Sequence, residues 1–228
     1  GTATTWSVNN CRGWDSTIPV VSNAIKPYAN NKTAFYSWLL RLPADGSTPL
    51  LSSTIRAGNY YSQAQNTDNG PYDDDLNSST NNNKATCRKC YHLLMTDGMW
   101  NSDNVTAYGN YDSQDRTLPD GKQYQASQNY ARPYRDTNSN SLADIAFSYW
   151  ANDLVSLDNE VSPSFLDLTG NEDARYFNPK NDPATWQHMV NYTVGLGTTP
   201  FLTSTAGGSL TWGSNTYDGS YPAIVAGT

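Results

Sequence analysis

The sequence predicts an α/β fold, a mainly parallel sheet flanked by helices, on three features. An apolar run of strand length, Tyr91-His-Leu-Leu-Met-Thr96, is cut off by Asp97-Gly98. In open α/β sheets ligands gather just beyond the C-terminal ends of such strands. A second run, Val190-Asn-Tyr-Thr-Val-Gly-Leu196, sets Val190, Tyr192, Val194 and Leu196 in strand-like alternation. Between the two, Ser141 with Asp144 three residues later makes a capping-box start, and Leu142, Ile145, Ala146, Tyr149 and Leu154 then line one helical face. Strand, helix and strand at that separation form a crossover unit, right-handed and parallel.

In chain order, residues 1–30 carry Trp6, Trp14 and Pro/Asn breakers without a sustained period and read as extended or irregular. Helical spacing runs from Thr33 to Leu42, with Phe35, Trp38, Leu39 and Leu42 at i, i+3, i+4 and i+7. Thr48-Pro49 reads as a capping hydroxyl followed by a proline at the first helical position. The helix it opens runs through Leu51, Ile55 and Ala57 and stops at Gly58. Residues 62–86 are a polar run containing Asp73-Asp-Asp75, which lacks the alternating acids and central glycine of a calcium loop and reads as solvated charge. A second polar excursion fills 98–140, with Gly109, Pro119-Asp-Gly121 and Arg132-Pro133; loops of that length are functional or inserted on a scaffold. Residues 158–180 read as loop, Ala184–Met189 as a short helix, and the last thirty residues as a hairpin or loop. The expectation is one domain over residues 1–228, incomplete at both ends, with long insertions at about 62–86 and 98–140.

Composition narrows the function. With 12% aromatics, including 16 Tyr and 7 Trp, the chain has the material for a packed core despite its mean hydropathy of −0.67. A net charge of −7 and only 15% charged residues leave no basic stripe for a nucleic acid. No run is long and apolar enough for a membrane span. There is no phosphate-binding loop, no Ser-His-Asp signature and no framework of paired acids, so an enzyme is not expected. His92 and His188 read as packed, hydrogen-bonded structural residues. The three cysteines allow a redox pair at Cys87-Arg-Lys-Cys90 or a zinc site from Cys11, Cys87, Cys90 and His92. A structural disulfide joining Cys11 to Cys87 or Cys90 in an oxidising compartment is preferred, because the pair at 87 and 90 runs into a strand rather than opening a helix.

Thr48 in a Gly-Ser-Thr-Pro helix start and Asp97 at a strand end resemble two parts of a von Willebrand factor A domain, a Rossmann-type fold. Its adhesion site takes Asp-x-Ser-x-Ser from one loop, a Thr from a second and an Asp from a third; such oxygens suit a hard divalent cation. Longer words narrow the match: Phe35-Tyr-Ser-Trp-Leu39, Gly46-Ser-Thr-Pro-Leu50, Arg88-Lys-Cys-Tyr-His-Leu-Leu-Met-Thr-Asp-Gly-Met-Trp-Asn101, Ser141-Leu-Ala-Asp-Ile-Ala-Phe-Ser-Tyr-Trp150 and Ala184-Thr-Trp-Gln-His-Met-Val-Asn-Tyr-Thr-Val-Gly-Leu-Gly197. In that order they resemble the N-terminal region of the PilC/PilY family, the tip-associated adhesins of bacterial type IV pili. The resemblance implies an exported, non-enzymatic protein at the cell surface or pilus tip that supports pilus assembly, attachment and twitching motility. Its implied partners are type IV pilus subunits, the minor pilins among them, and a host or surface receptor. Thr48 and Asp97 are its implied ligands for Mg²⁺ or Ca²⁺. Two parts of the pattern are missing: no Asp-x-Ser-x-Ser precedes residue 33, and no closing helix is recognisable after residue 197. The cation site is therefore expected to be partial. A secreted carbohydrate-active or carbohydrate-binding protein, suggested by the Trp, Tyr, Asn and Asp content, and a purely structural pilus-assembly module without metal are the alternatives.

Overall fold

The computed structural model describes residues 27–40, 48–63, 71–73, 83–97 and 103–196, and the backbone of three short strands after them. In chain order the elements are α1 (Tyr28–Leu39), α2 (Leu50–Tyr61), β1 (Cys90–Thr96), β2 (Arg116–Thr117), β3 (Gln123–Tyr124), α3 (Leu142–Ala151), α4 (Glu172–Tyr176), β4 (Met189–Gly195), β5 (Thr203–Thr205), β6 (Ser209–Trp212) and β7 (Asn215–Tyr217).

β1 and β4 pair in parallel, Cys90 opposite Met189 and Thr96 opposite Gly195, so the expected crossover is present. The ladder continues one step where the Leu196 N–H donates to the Thr96 carbonyl at 2.7 Å. Across it His92 Nδ1 donates to Asn191 Oδ1 at 2.9 Å, which fixes the register by side chain as well as backbone. Helices α2 and α3 pack on each other and on this pair. Leu51, Ile145, Tyr149 and Met189 are the buried residues of their shared core.

The two helices meet closely because Gly58 has no side chain. A Cβ there would lie 2.4 Å from the Tyr149 ring. The Tyr149 hydroxyl donates to Asn59 Oδ1 at 2.7 Å and receives the Tyr108 hydroxyl at 3.0 Å. This contact explains why α2 runs on to Tyr61 instead of stopping at Gly58: the glycine is a packing position inside the helix, not a terminator. α1 also differs, covering Tyr28–Leu39 instead of Thr33–Leu42. Its first turn is extended backwards by Asn31 Nδ2 donating to the Pro27 carbonyl at 2.9 Å and by Tyr28 packing edge-on against Phe35, ring centroids 6.2 Å apart.

The excursion at 98–140 is not a surface loop over its described part, 103–140. It supplies Leu118, Tyr124, Ala126 and Ala131 to the largest core cluster, which it shares with Phe147, Ala151, Phe177, Ala184 and Trp186. Tyr130 stacks on Phe177 at 4.3 Å, and Tyr124 packs against Phe147 at 4.7 Å. Aromatic pairs of this kind add about 0.5–1.5 kcal/mol beyond their buried area. A sequence polar in composition thus builds an aromatic core, its many backbone groups satisfied locally, as where Leu118 N–H donates to Lys122 O at 2.8 Å.

Ala184–Met189 is extended, not helical. Its backbone bonds go to distant segments: Thr185 O accepts from Val161 N, and Gln187 O from Leu154 N, both at 2.9 Å. Gln187 Nε2 donates to Thr86 O and Asp158 O, and Trp186 Nε1 to Trp150 O. The stretch read as loop at 158–180 contains α4, whose Asn171 side chain caps Ala174 N–H at 2.9 Å. Of the Asp triplet, Asp73 is buried and paired with Lys84, so it is not solvated charge; Asp74 and Asp75 lie outside the described residues. At the C-terminal end β5, β6 and β7 form an antiparallel meander, the hairpin option.

One face of the parallel pair is open. Tyr91, Leu93 and Met95 on β1 and Tyr192 and Val194 on β4, with Leu196 just beyond it, are 37–62% exposed. Parallel sheets normally have both faces covered.

Replacing Gly58 by Ala is expected to lower unfolding free energy by about 1–3 kcal/mol in urea titration, because overpacking outweighs the gain in helix propensity. Increased stability would show that Tyr149 moves freely and that the close approach is not fixed.

Candidate functional site

The C-terminal finish of a parallel strand is where α/β folds present functional groups, so the site is built from the rim around Asp97. Asp97 directly follows β1 and is exposed. At the C-terminal end of α2 the Tyr61 hydroxyl donates to the carbonyl of Tyr91, near the start of β1. Thr48, half-buried, immediately precedes that helix and gives its carbonyl to Leu50 N–H at 3.0 Å.

Thr48 is not the N-cap. That position is Pro49, which makes no side-chain cap bond. The orphan donors of the first turn are met from another segment: Ser52 N–H donates to Asp103 Oδ2 at 3.0 Å, and Ser52 Oγ donates to Asp103 Oδ1. A carboxylate here also meets the positive end of the helix dipole. Asp103 is a helix-capping residue that sequence reading missed. Its partner is 51 residues away, so no local pattern announces it.

A hydroxyl and a carboxylate are hard oxygen donors of the kind Mg²⁺ or Ca²⁺ takes, so Thr48 and Asp97 fit such an ion in chemistry. They supply two donors against the roughly six such ions require. Among the described residues no three His, Cys, Asp or Glu side chains gather to hold a metal. Cys87 and Cys90 are free thiols, one exposed and one buried, while Cys11 lies outside the described residues. Burial pushes the Cys90 thiol up to about 11, the opposite of what a redox or zinc-binding cysteine needs.

Beneath the opposite end of the layer sits a half-buried charge network. Asp182 is 3.1 Å from His188 Nε2 and 3.2 Å from Lys89 Nζ. His188 Nδ1 donates to the Trp186 carbonyl at 2.7 Å, and Lys89 Nζ also donates to Ser164 Oγ. Burial raises the Asp182 carboxyl, but the hydrogen bond and charge of His188, with Lys89, outweigh it and hold the group below its ordinary value. His188 is a packed, bonded residue, as its sequence context suggests.

Asp182 also borders a cleft of about 320 Å³ lined by Tyr134, Phe147, Trp150, Tyr176 and Asn181. Its aromatic walls would suit a sugar ring, yet its two amides, Asn181 and Asn191, are both bonded internally. Asn181 Oδ1 accepts from Leu166 and Asp167 N–H, and its Nδ2 donates to Asp167 O and Arg175 O.

No family model matches the chain, and no solved structure matches it. Its sequence is similar to three proteins named type IV pilus biogenesis factor PilY1 from *Pseudomonas aeruginosa*. The strain PAK protein is 44% identical over 199 residues, 86% of this chain and 16% of the relative. That of strain UCBPP-PA14 is 39% identical over 228 residues, 98% of this chain and 18% of the relative. That of strain PAO1 is 42% identical over 209 residues, 90% and 17% respectively. The chain thus spans less than a fifth of the length of these relatives.

Two outcomes are expected. Asp103→Ala should destabilise by about 1 kcal/mol, the worth of a helix N-cap, whereas Thr48→Ala should cost less; equal losses in chemical denaturation would return the cap to Thr48. Asp182→Asn should cost about 1–2 kcal/mol at neutral pH, between the values for exposed and buried pairs, by leaving His188 and Lys89 without their half-buried partner. Because the folded pKa of Asp182 is depressed, its contribution is complete above the unfolded value near ~4 and is lost as pH falls through the folded one. The variant should lose that acid-side slope in a pH series of melting temperatures, and an unchanged slope would contradict the network.

Proposed function

We propose that this chain is a non-enzymatic module of a type IV pilus-tip protein that supports pilus assembly and surface attachment. The observation that carries the reading is identity of 39–44% to PilY1 proteins over 86–98% of the chain. Because so little of those relatives is covered, the activity of the whole protein reaches this chain only as part of this proposal. The parts of the proposal are extracellular placement at the cell surface or pilus tip, contact with pilus subunits such as minor pilins, and recognition of a host or surface receptor.

The finer reading is a von Willebrand factor A-like domain with the adhesion rim at Asp97 and Thr48. Three features support it: the parallel β1–β4 pair, the two helices on one of its faces, and the apolar open face, which suits further strands and helices of the same sheet. In this reading Asp97 and Thr48 hold part of the shell of a Mg²⁺ or Ca²⁺ ion, which leaves an open position for an acidic group of the receptor. Asp97 meets the need for access, being exposed at a strand end.

A purely structural assembly module is the second reading, favoured by the open apolar face, which also suits a packing surface. A carbohydrate-binding role is less supported, because the cleft that would host a sugar has its amides already bonded.

The test is Asp97→Ala in the whole protein, expressed in a piliated bacterium. Surface attachment and twitching should fall while the melting temperature of the purified module changes little, and calorimetry on the whole wild-type protein should show Mg²⁺ or Ca²⁺ binding that the variant loses. Unaltered attachment with no heat of metal binding would leave the structural reading. Attachment lost together with stability would make Asp97 a strand terminator only.

A further inference from the structure

A cleft selects its ligand by the hydrogen-bonding groups it has left to offer. The one bordered by Tyr134, Phe147, Trp150 and Tyr176, about 320 Å³ in volume, has the size of sites that take a small ligand or a few residues of a peptide. Its wall is aromatic and continuous. The Phe147 ring centroid lies 6.1 Å from that of Tyr134 and 5.8 Å from that of Trp150. Trp150 is held edge-on by Trp186 at 5.7 Å, and Tyr176 by Phe177 at 4.8 Å. Proline rings at 133, 179 and 183 add to the lining. Rings fixed in this way lose little freedom when a partner packs on them.

The amide and carboxylate acceptors around this cleft are already used. Asn181 Oδ1 takes the N–H groups of Leu166 and Asp167, and Asn191 Oδ1 takes His92 Nδ1. The carboxylate of Asp182 is met by Lys89 and His188, so it brings no free charge. The Tyr134 and Tyr176 hydroxyls donate to Phe177 O and Asp120 Oδ2. One donor is left over. The indole N–H of Trp150, on a half-buried ring at the cleft, has no acceptor among the described residues. An indole nitrogen can only donate. The cleft is thus uncharged, aromatic and short of acceptors. A ligand rich in donors, such as a sugar or an ordinary peptide, would leave hydroxyl or N–H groups unmet there, at a cost in free energy.

We propose that this cleft takes a proline-rich, extended segment of a protein partner. Proline is the one residue without a backbone N–H, so such a segment brings acceptors and flat rings but no donors. Its polyproline II form makes no internal hydrogen bonds, which leaves its carbonyls free for the Trp150 indole. That form is also ordered before it binds, and aromatic-lined grooves recognise it for these reasons. An uncharged segment matches a cleft whose one acid, Asp182, is spent on Lys89 and His188. The site uses neither Asp97 nor Thr48, and it stands whether or not the rim binds a cation.

Decaproline titrated into the isotope-labelled 228-residue chain tests this. The indole cross-peak of Trp150, assigned by its disappearance in Trp150→Phe, should shift and saturate. Calorimetry should show binding weakened about fivefold in Trp150→Phe, which keeps a ring and removes the donor, the worth of one hydrogen bond. Binding should be lost in Ala146→Lys, which suits the helix and fills the cleft. If Trp150→Phe fails to fold by circular dichroism, Ala146→Lys decides alone. No saturable shift, equal binding of a glycine-serine decamer, or binding undiminished in Ala146→Lys overturns the proposal. A shift produced by cellohexaose and not by decaproline also overturns it, and makes the cleft a sugar site.

Discussion

Parallel pairing of β1 with β4 is the constraint on which the rest of the structure depends. Parallel neighbours cannot be joined by a tight turn. Here the partners His92 and Asn191 are 99 residues apart. Everything between must leave one end of the pair and return at the other, and this is why the intervening chain lies against α2 and α3 and builds a core of its own. The same constraint sets the end of the pair at which Asp97 is found, directly after β1.

Charge is used sparingly, and three of the acids in the described residues are met by a cation or a helix end. Asp73 is neutralised by Lys84, Asp182 by Lys89 and His188, and Asp103 by a helix N-terminus. Buried pairs of this kind contribute little net stability but are costly to break, so they specify geometry more than they add energy.

Much of this fold was legible in the sequence where local chemistry decides it. The strand at 91–96, the capping box at Ser141 and Asp144, and the alternation after Val190 all depend on neighbours within a few residues. The structure reproduces each, the capping box with both reciprocal bonds. Reading failed where distant contacts override local signals. Gly58 looked like a helix stop, and the Tyr149 ring makes it a packing site. Ala184–Met189 read as a short helix, but its carbonyls are claimed by Val161 and Leu154. The 98–140 segment looked polar because its core residues are a scattered leucine, two alanines and tyrosines, not aliphatic runs. Asp97 was visible from its strand, whereas Asp103 was invisible because its partner is remote in sequence.

The open face of Tyr91, Leu93, Met95, Tyr192, Val194 and Leu196 joins fold to function, since a parallel pair needs cover on both sides. A rim built on such a pair is only as well placed as the pairing beneath it. Cross-strand nuclear Overhauser contacts measured on isotope-labelled protein address that pairing directly. The fold described predicts parallel-type contacts linking Leu93 to Tyr192 and Thr96 to Gly195. An antiparallel pattern, or no contact between the two segments, would contradict it and dissolve the rim with it.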